Sequence, residues 1–215
     1  MSLKIKVYSD YVCPFCLLAK KPLEEATKGK DVEIEWMPFE LRPYPKEALK
    51  PEGEYLQSIW KDSVYPFADK LGIPIILPKV SPQPHTHLAF EGYQYAKENG
   101  KANGYNEKIL RAFFEGEQDI GNIEVLTNLA KELGLNGDEF KQSLVTRIYK
   151  HKHQEALNHA ANEANIQAVP TIIIGDKILA GVRSKEELEE IIDENLKSPS
   201  LTMFGEGMTC GIDGC

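Results

Sequence analysis

The hydrophobic pattern changes period twice along this chain. Leu3, Ile5 and Val7 alternate with Lys4 and Lys6, the period-two signature of a strand over residues 3–8. A Cys-Pro-Phe-Cys stretch follows, and then Leu17, Leu18, Leu23 and Ala26 recur within a helical stretch. Pro14 suits the first turn of that helix, Pro22 predicts a kink, and Gly29 predicts its stop. Val32, Ile34 and Trp36 alternate with Glu33 and Glu35 as a second strand. Between Leu41 and Pro84 prolines recur too often for long regular elements, and only a short helix around residues 55–71 is expected.

Helical spacing returns over residues 88–98, 106–114 and 123–133, the last ending at Gly134. The next helix opens at Asn136, with Glu139 placed to complete a capping box and Leu135 to staple onto Phe140, and is expected to reach Asn165. Val169 to Gly175 reads as a short buried strand, Lys177 to Ala180 as its hairpin partner, and Ser184 with Glu187 as the capped start of a last helix. Strand character thus brackets a long helical stretch. That order predicts an α/β domain built from residues 1–40 and 166–197, a helical insertion over 41–165, and a Gly-rich tail over 198–215.

Composition narrows the function. With 215 residues and 42% hydrophobic content, the chain can bury a substantial core. A net charge of −8 speaks against nucleic acid as the main partner, because phosphate binding needs a basic face. No stretch is apolar for long enough to cross a bilayer, so no membrane partner is expected. The N-terminus lacks the continuous apolar core of a signal peptide, and the expected location is the cytosol. In that compartment a Cys-x-x-Cys pair is catalytic or metal-binding more often than a structural disulfide.

Cys13 and Cys16 therefore carry the candidate chemistry. Placed between a strand end and a helix start, Cys13 has free backbone N–H groups and the positive end of the helix dipole beside its sulfur, which favour the thiolate. Cys16 falls inside the first turn and is more shielded. The natural division makes Cys13 the attacking nucleophile and Cys16 the resolving thiol.

The run Ser9-Asp10-Tyr-Val-Cys13-Pro-Phe-Cys16 resembles the opening of DsbA-like thioredoxin-fold proteins of the FrnE branch. Further matches are His87 leading a helix, Ala112-Phe-Phe-Glu-Gly116 with Asp119-Ile-Gly, and Ala168-Val-Pro170-Thr, together spanning about residues 3–195. The resemblance implies a thioredoxin-like α/β fold with a large α-helical insertion covering the active site. It also implies a cis proline at Pro170, beside the cysteine pair, with Val169 presenting its backbone to a bound substrate strand. From the same match His87 is expected to line the interdomain groove; as a plain helix-entry residue it would instead bond a carbonyl. The family's relatives include glutathione-dependent transferases and 2-hydroxychromene-2-carboxylate isomerases, which typically carry serine at the position of Cys13.

The expectation is thus a cytosolic disulfide reductase or isomerase acting on thiol or disulfide protein substrates. Glutathione is a candidate partner, and no bound cofactor is needed. A glutathione-dependent isomerase or transferase and a zinc-stabilised binding module are the alternatives. Cys210 and Cys215 stand outside the ordinary family pattern. A second exchanging redox pair, a share in a four-cysteine zinc site with Cys13 and Cys16, and two exposed thiols all remain open for them. His151, Glu155 and His159 share one helical face, a row read as solvated surface, so no metal site is assigned. Tyr55, Trp60, Tyr65 and Phe67 suit either a substrate groove or the core of the helical part.

Overall fold

The structure, a computed structural model, describes residues 2–197; the tail pair Cys210 and Cys215 lies outside the described residues. Four strands, β1 (Leu3–Ser9), β2 (Val32–Pro38), β3 (Thr171–Ile174) and β4 (Lys177–Ala180), form one sheet in the order β2-β1-β3-β4. β1 runs parallel to β2 and antiparallel to β3. The two central strands therefore come from opposite ends of the chain. The alternation read along β1 is the reason the sheet is buried on both sides. Ile5 and Val7 join Ile172 and Ile174 in the main core, while Tyr8 turns the other way onto Ala160 and Ile166. Each such aliphatic side chain contributes roughly 1.5–3 kcal/mol on burial.

α1 (Pro14–Thr27) and α9 (Lys185–Lys197) pack together against the sheet. α9 starts where the sequence places it, with Glu187 N–H donating to the Ser184 hydroxyl at 3.2 Å. α1 continues through Pro22 without a break, so the proline removes one N–H donor and leaves the helix assigned as a single element.

Between β2 and β3 lie α2 (Glu54–Ile59), a π-helical turn (Trp60–Val64), α3 (Tyr65–Leu71), α4 (His87–Glu98), α5 (Ala102–Phe114), α6 (Ile123–Glu132), α7 (Gly137–Thr146), α8 (Lys150–Asn158) and a second π-helical turn (His159–Glu163). The single helix expected from Asn136 to Asn165 is two helices and a turn. Asn136 caps α7 as predicted, accepting from the N–H groups of Asp138 and Glu139. Glu139 does not reach back; it accepts the Tyr95 hydroxyl at 3.1 Å. The chain then leaves the helix at Arg147, whose φ of 56° is left-handed; the N–H groups of Arg147 and Ile148 donate back to the Leu144 and Ser143 carbonyls at 3.3 and 3.2 Å and close the helix end. The Arg147 side chain is fixed by Glu91, Nε and Nη2 donating to the two carboxylate oxygens at 2.7 and 2.6 Å. The strand expected from Val169 begins at Thr171, because Val169 and Pro170 form the turn that meets the cysteines.

Candidate active site

Cys13 ends the short loop that leaves β1. Its N–H donates to the Asp10 carbonyl at 3.1 Å, and its own carbonyl accepts the Cys16 N–H at 3.0 Å, closing the first turn of α1. Cys13 keeps extended dihedrals (φ −91°, ψ 112°) as the residue that caps the helix, and Pro14 is the first helical residue. This is the local arrangement that strand, loop and proline spelling predict. Both thiols are free.

Cys13 and Val169, distant in sequence, meet here. The Cys13 thiol donates to the Val169 carbonyl at 3.6 Å, and the Val169–Pro170 peptide bond is cis. The Pro170 carbonyl accepts the N–H of Gly181 at 2.8 Å, which fixes this turn to the end of β4. Beside it lies an apolar cleft of about 290 Å³ lined by Phe15, Phe67, Val169, Pro170, Gly181 and Val182. Phe15 comes from between the cysteines and Phe67 from α3; their rings meet edge to face at 6.5 Å. Of the middle-segment aromatics, Phe67 thus faces the cleft, Trp60 is core at 1% exposure, and Tyr55 is exposed.

Cys16 lies deeper. Burial pushes its thiol well above the ordinary value, and the neighbouring Cys13 adds to the effect; the Ser9 hydroxyl and the Asp10 backbone act against it. A group so disposed stays protonated until something draws it into reaction, which suits a resolving thiol more than an attacking one.

Behind the loop sits Asp10, 1% exposed. Its Oδ2 accepts the Leu41 N–H at 2.7 Å and its Oδ1 the Thr86 hydroxyl at 2.8 Å. Burial drives the carboxyl up to about 6 against the pull of those two donors, and the nearby Glu40 carboxylate pushes in the same direction as burial. Asp10 thereby joins the cysteine loop, the exit of β2 and the start of α4. The hydrophobic pattern alone assigns Asp10 no role; a lone acid at the end of an apolar strand, three residues before the first cysteine, is the available signal.

The structure gathers Cys13, Cys16, Val169 and Pro170, and sets His87 apart. His87 lines a different cleft, with Glu40, Glu91, Arg147 and His153, and does not line the cleft beside Pro170. The face of His151, Glu155 and His159 is taken up locally: His151 faces Glu155, while His159 pairs with Glu163 and with the Tyr8 hydroxyl. Among the described residues no three His, Cys, Asp or Glu side chains converge as a metal site, and no helix is long and apolar enough to cross a membrane.

Comparison with known proteins agrees with this geometry. The DSBA-like thioredoxin domain family matches residues 4–193. YwbO of Bacillus subtilis, an uncharacterized protein, is 52% identical over 198 residues, covering 92% of this chain and 99% of its own length. The 2-hydroxychromene-2-carboxylate isomerase of Pseudomonas putida is 24% identical over 188 residues, covering 82% of this chain and 88% of that protein. Among solved structures, the probable DsbA oxidoreductase SCO1869 from Streptomyces coelicolor superposes with a TM-score of 0.81 at 20% identity, over 99% of this chain and 98% of that one. The cytosolic disulfide reductase DsbM from Pseudomonas aeruginosa with GSH does so at 0.67 and 17% identity, over 90% and 96%. The family match covers most of the chain, and the chain belongs to the DSBA-like thioredoxin domain family.

Proposed function

We propose that this protein is a cytosolic thiol-disulfide oxidoreductase of the FrnE type, with Cys13 and Cys16 as its redox pair and protein disulfides as its substrates. Family membership supports thiol-disulfide oxidoreductase chemistry in general. The observation that carries the specific reading is the Cys13 thiol held at the start of α1 and against the Val169 carbonyl, next to Pro170.

In the reductive direction, the Cys13 thiolate attacks one sulfur of a substrate disulfide. A Cys13–substrate disulfide forms, and the other substrate sulfur leaves as a thiolate. Cys16 then gives up its proton and attacks Cys13, so that a Cys13–Cys16 disulfide forms and the second substrate thiolate is released. Two equivalents of a small thiol restore the dithiol and leave as their own disulfide. Glutathione is the proposed thiol, a reading supported by the likeness to the reductase whose structure contains GSH. Residues 41–165 act as the insertion that supplies Phe67 to the substrate cleft, and 1–40 with 166–197 as the thioredoxin-like part. A cysteine at position 13, where isomerase relatives typically carry serine, favours disulfide exchange over the isomerase reading.

Insulin reduction driven by dithiothreitol tests this in the full chain. Cys13→Ser is expected to abolish activity and Cys16→Ser to stall at a mixed disulfide. A Cys210→Ser/Cys215→Ser double variant reads whether the tail pair exchanges with the first. Wild-type protein no faster than the uncatalysed reaction would overturn the proposal.

A further inference from the structure

The cleft that holds His87 is a second, chemically distinct site, and the redox chemistry uses none of its charged groups. It measures about 530 Å³, within the range of small-ligand pockets, and opens between the exit of β2, α4 and the α7–α8 corner. Glu91 is wholly buried, an expensive position for a carboxylate, and is kept there by the bidentate Arg147 contact described above. Arg147 in turn holds a left-handed backbone that a non-glycine residue does not adopt freely. Both costs converge on one cleft.

The polar groups are sorted by depth. Glu40 and His153, with side chains only 4% and 3% exposed, pair through Glu40 Oε1 and His153 Nε2 at 2.5 Å. Glu40 Oε2 accepts from none of the described residues, so this carboxylate keeps a free acceptor in the lining of the cleft. The Nδ1 atoms of His87 and His153 are buried beneath the wall without a partner. Towards solvent the sign reverses: Arg147 uses only Nε and Nη2 on Glu91, leaving Nη1 for another acceptor, and Lys150 is exposed beside it. Tyr44 and Leu157 complete the wall with apolar surface.

We infer that this cleft binds the zwitterionic head of an α-amino acid, its ammonium directed to Glu40, its carboxylate to Arg147 and Lys150. Two carboxylates and two fixed cations leave the site near neutral, which matches a zwitterion better than a simple anion or amine. The same head group occurs on free amino acids and at the γ-glutamyl end of peptides. This inference does not rest on the redox reading, since none of its residues touches the cysteines.

Thermal-shift screening of the full-length protein with each of the twenty L-amino acids and with γ-glutamyl dipeptides, followed by calorimetric titration of those that shift, tests it. At least one zwitterion is expected to bind, and its deaminated and decarboxylated analogues to bind about tenfold more weakly or worse, as expected for loss of a charge-assisted contact. Lys150→Met, an exposed change that leaves the fold alone, is expected to weaken binding about tenfold without altering the rate of Cys13 alkylation, and Glu40→Gln to weaken binding by a similar factor. Preference for γ-glutamyl dipeptides over free amino acids would assign the peptide source, and the reverse order the free one. Absence of any binder in the panel, equal binding of the single-charge analogues, or wild-type affinity in both variants would overturn the assignment.

Discussion

Asp10 accepts the hydroxyl of Thr86 at 2.8 Å across the boundary between the cysteine loop and the first residues of α4. One buried carboxyl group thus ties the cysteine loop to a helix that begins more than seventy residues later. The Leu41 N–H donates to its other oxygen, so replacing Asp10 disturbs both contacts at once.

The pH dependence of stability follows in sign and size. The folded value of Asp10, about 6, lies above the ordinary aspartate value of ~3.9. Stability from this group is therefore fully present below about pH 4 and is lost as pH rises through 6. The difference of roughly two pK steps corresponds to about 3 kcal/mol. Asp10→Asn removes this term. Urea unfolding from pH 4 to pH 7 should show wild type losing about 3 kcal/mol relative to Asp10→Asn over that window. Parallel profiles for the two proteins would contradict the assignment.

The thiols of Cys13 and Cys16 should differ in reactivity in the folded state. Cys16 is 1% exposed and its thiol is raised by burial. Iodoacetamide at pH 7.5 followed by peptide mass mapping is expected to label Cys13 at least about tenfold faster than Cys16, because only the thiolate reacts. In urea the difference should vanish.

Phe67 contributes to the cleft beside Pro170 from outside the sheet. Phe67→Ala removes one wall and the edge-to-face contact with Phe15, an interaction of about 0.5–1.5 kcal/mol. The expected result is a KM for a disulfide peptide raised several-fold with kcat nearly unchanged, read from steady-state kinetics. A drop in kcat alone would place Phe67 in the chemistry instead.

Arg147→Ala strands the Glu91 carboxylate in the interior. Removing one partner of a buried pair typically costs about 3–5 kcal/mol, and the lower end applies because Arg147 is partly exposed. Replacing both, as Glu91→Met with Arg147→Met, should recover most of the loss in denaturant melts, since no charge is then left unpaired.

Much of the candidate site's geometry was legible in the sequence because it is built from local rules. A strand, a Pro-containing motif and a helix place Cys13 at a helix start whatever lies elsewhere, and the family match supplied Val169 and Pro170. The β3–β4 hairpin and the caps at Asn136 and Ser184 were legible for the same reason. The break at Arg147 was not, because the left-handed residue that closes the helix is an arginine and not the glycine or asparagine that usually marks such an end. Glu40 with His153 and Asp10 with Thr86 are likewise pairs between segments that no periodicity links. His87 was singled out by the family resemblance alone, and the rest of its cleft comes from the exit of β2 and the α7–α8 corner as well as from its own helix.

The central pairing of β1 with β3 has a consequence for how the protein is made. Cys13 and Val169 are separated by 156 residues, and the carbonyl that receives the thiol does not exist when the cysteines leave the ribosome. At ordinary elongation rates of about 5–20 residues per second, roughly 8–30 s pass before the turn that completes the site is synthesised. The Cys-Pro-Phe-Cys stretch is among the first parts of the molecule to be made, and the turn that meets Cys13 is among the last.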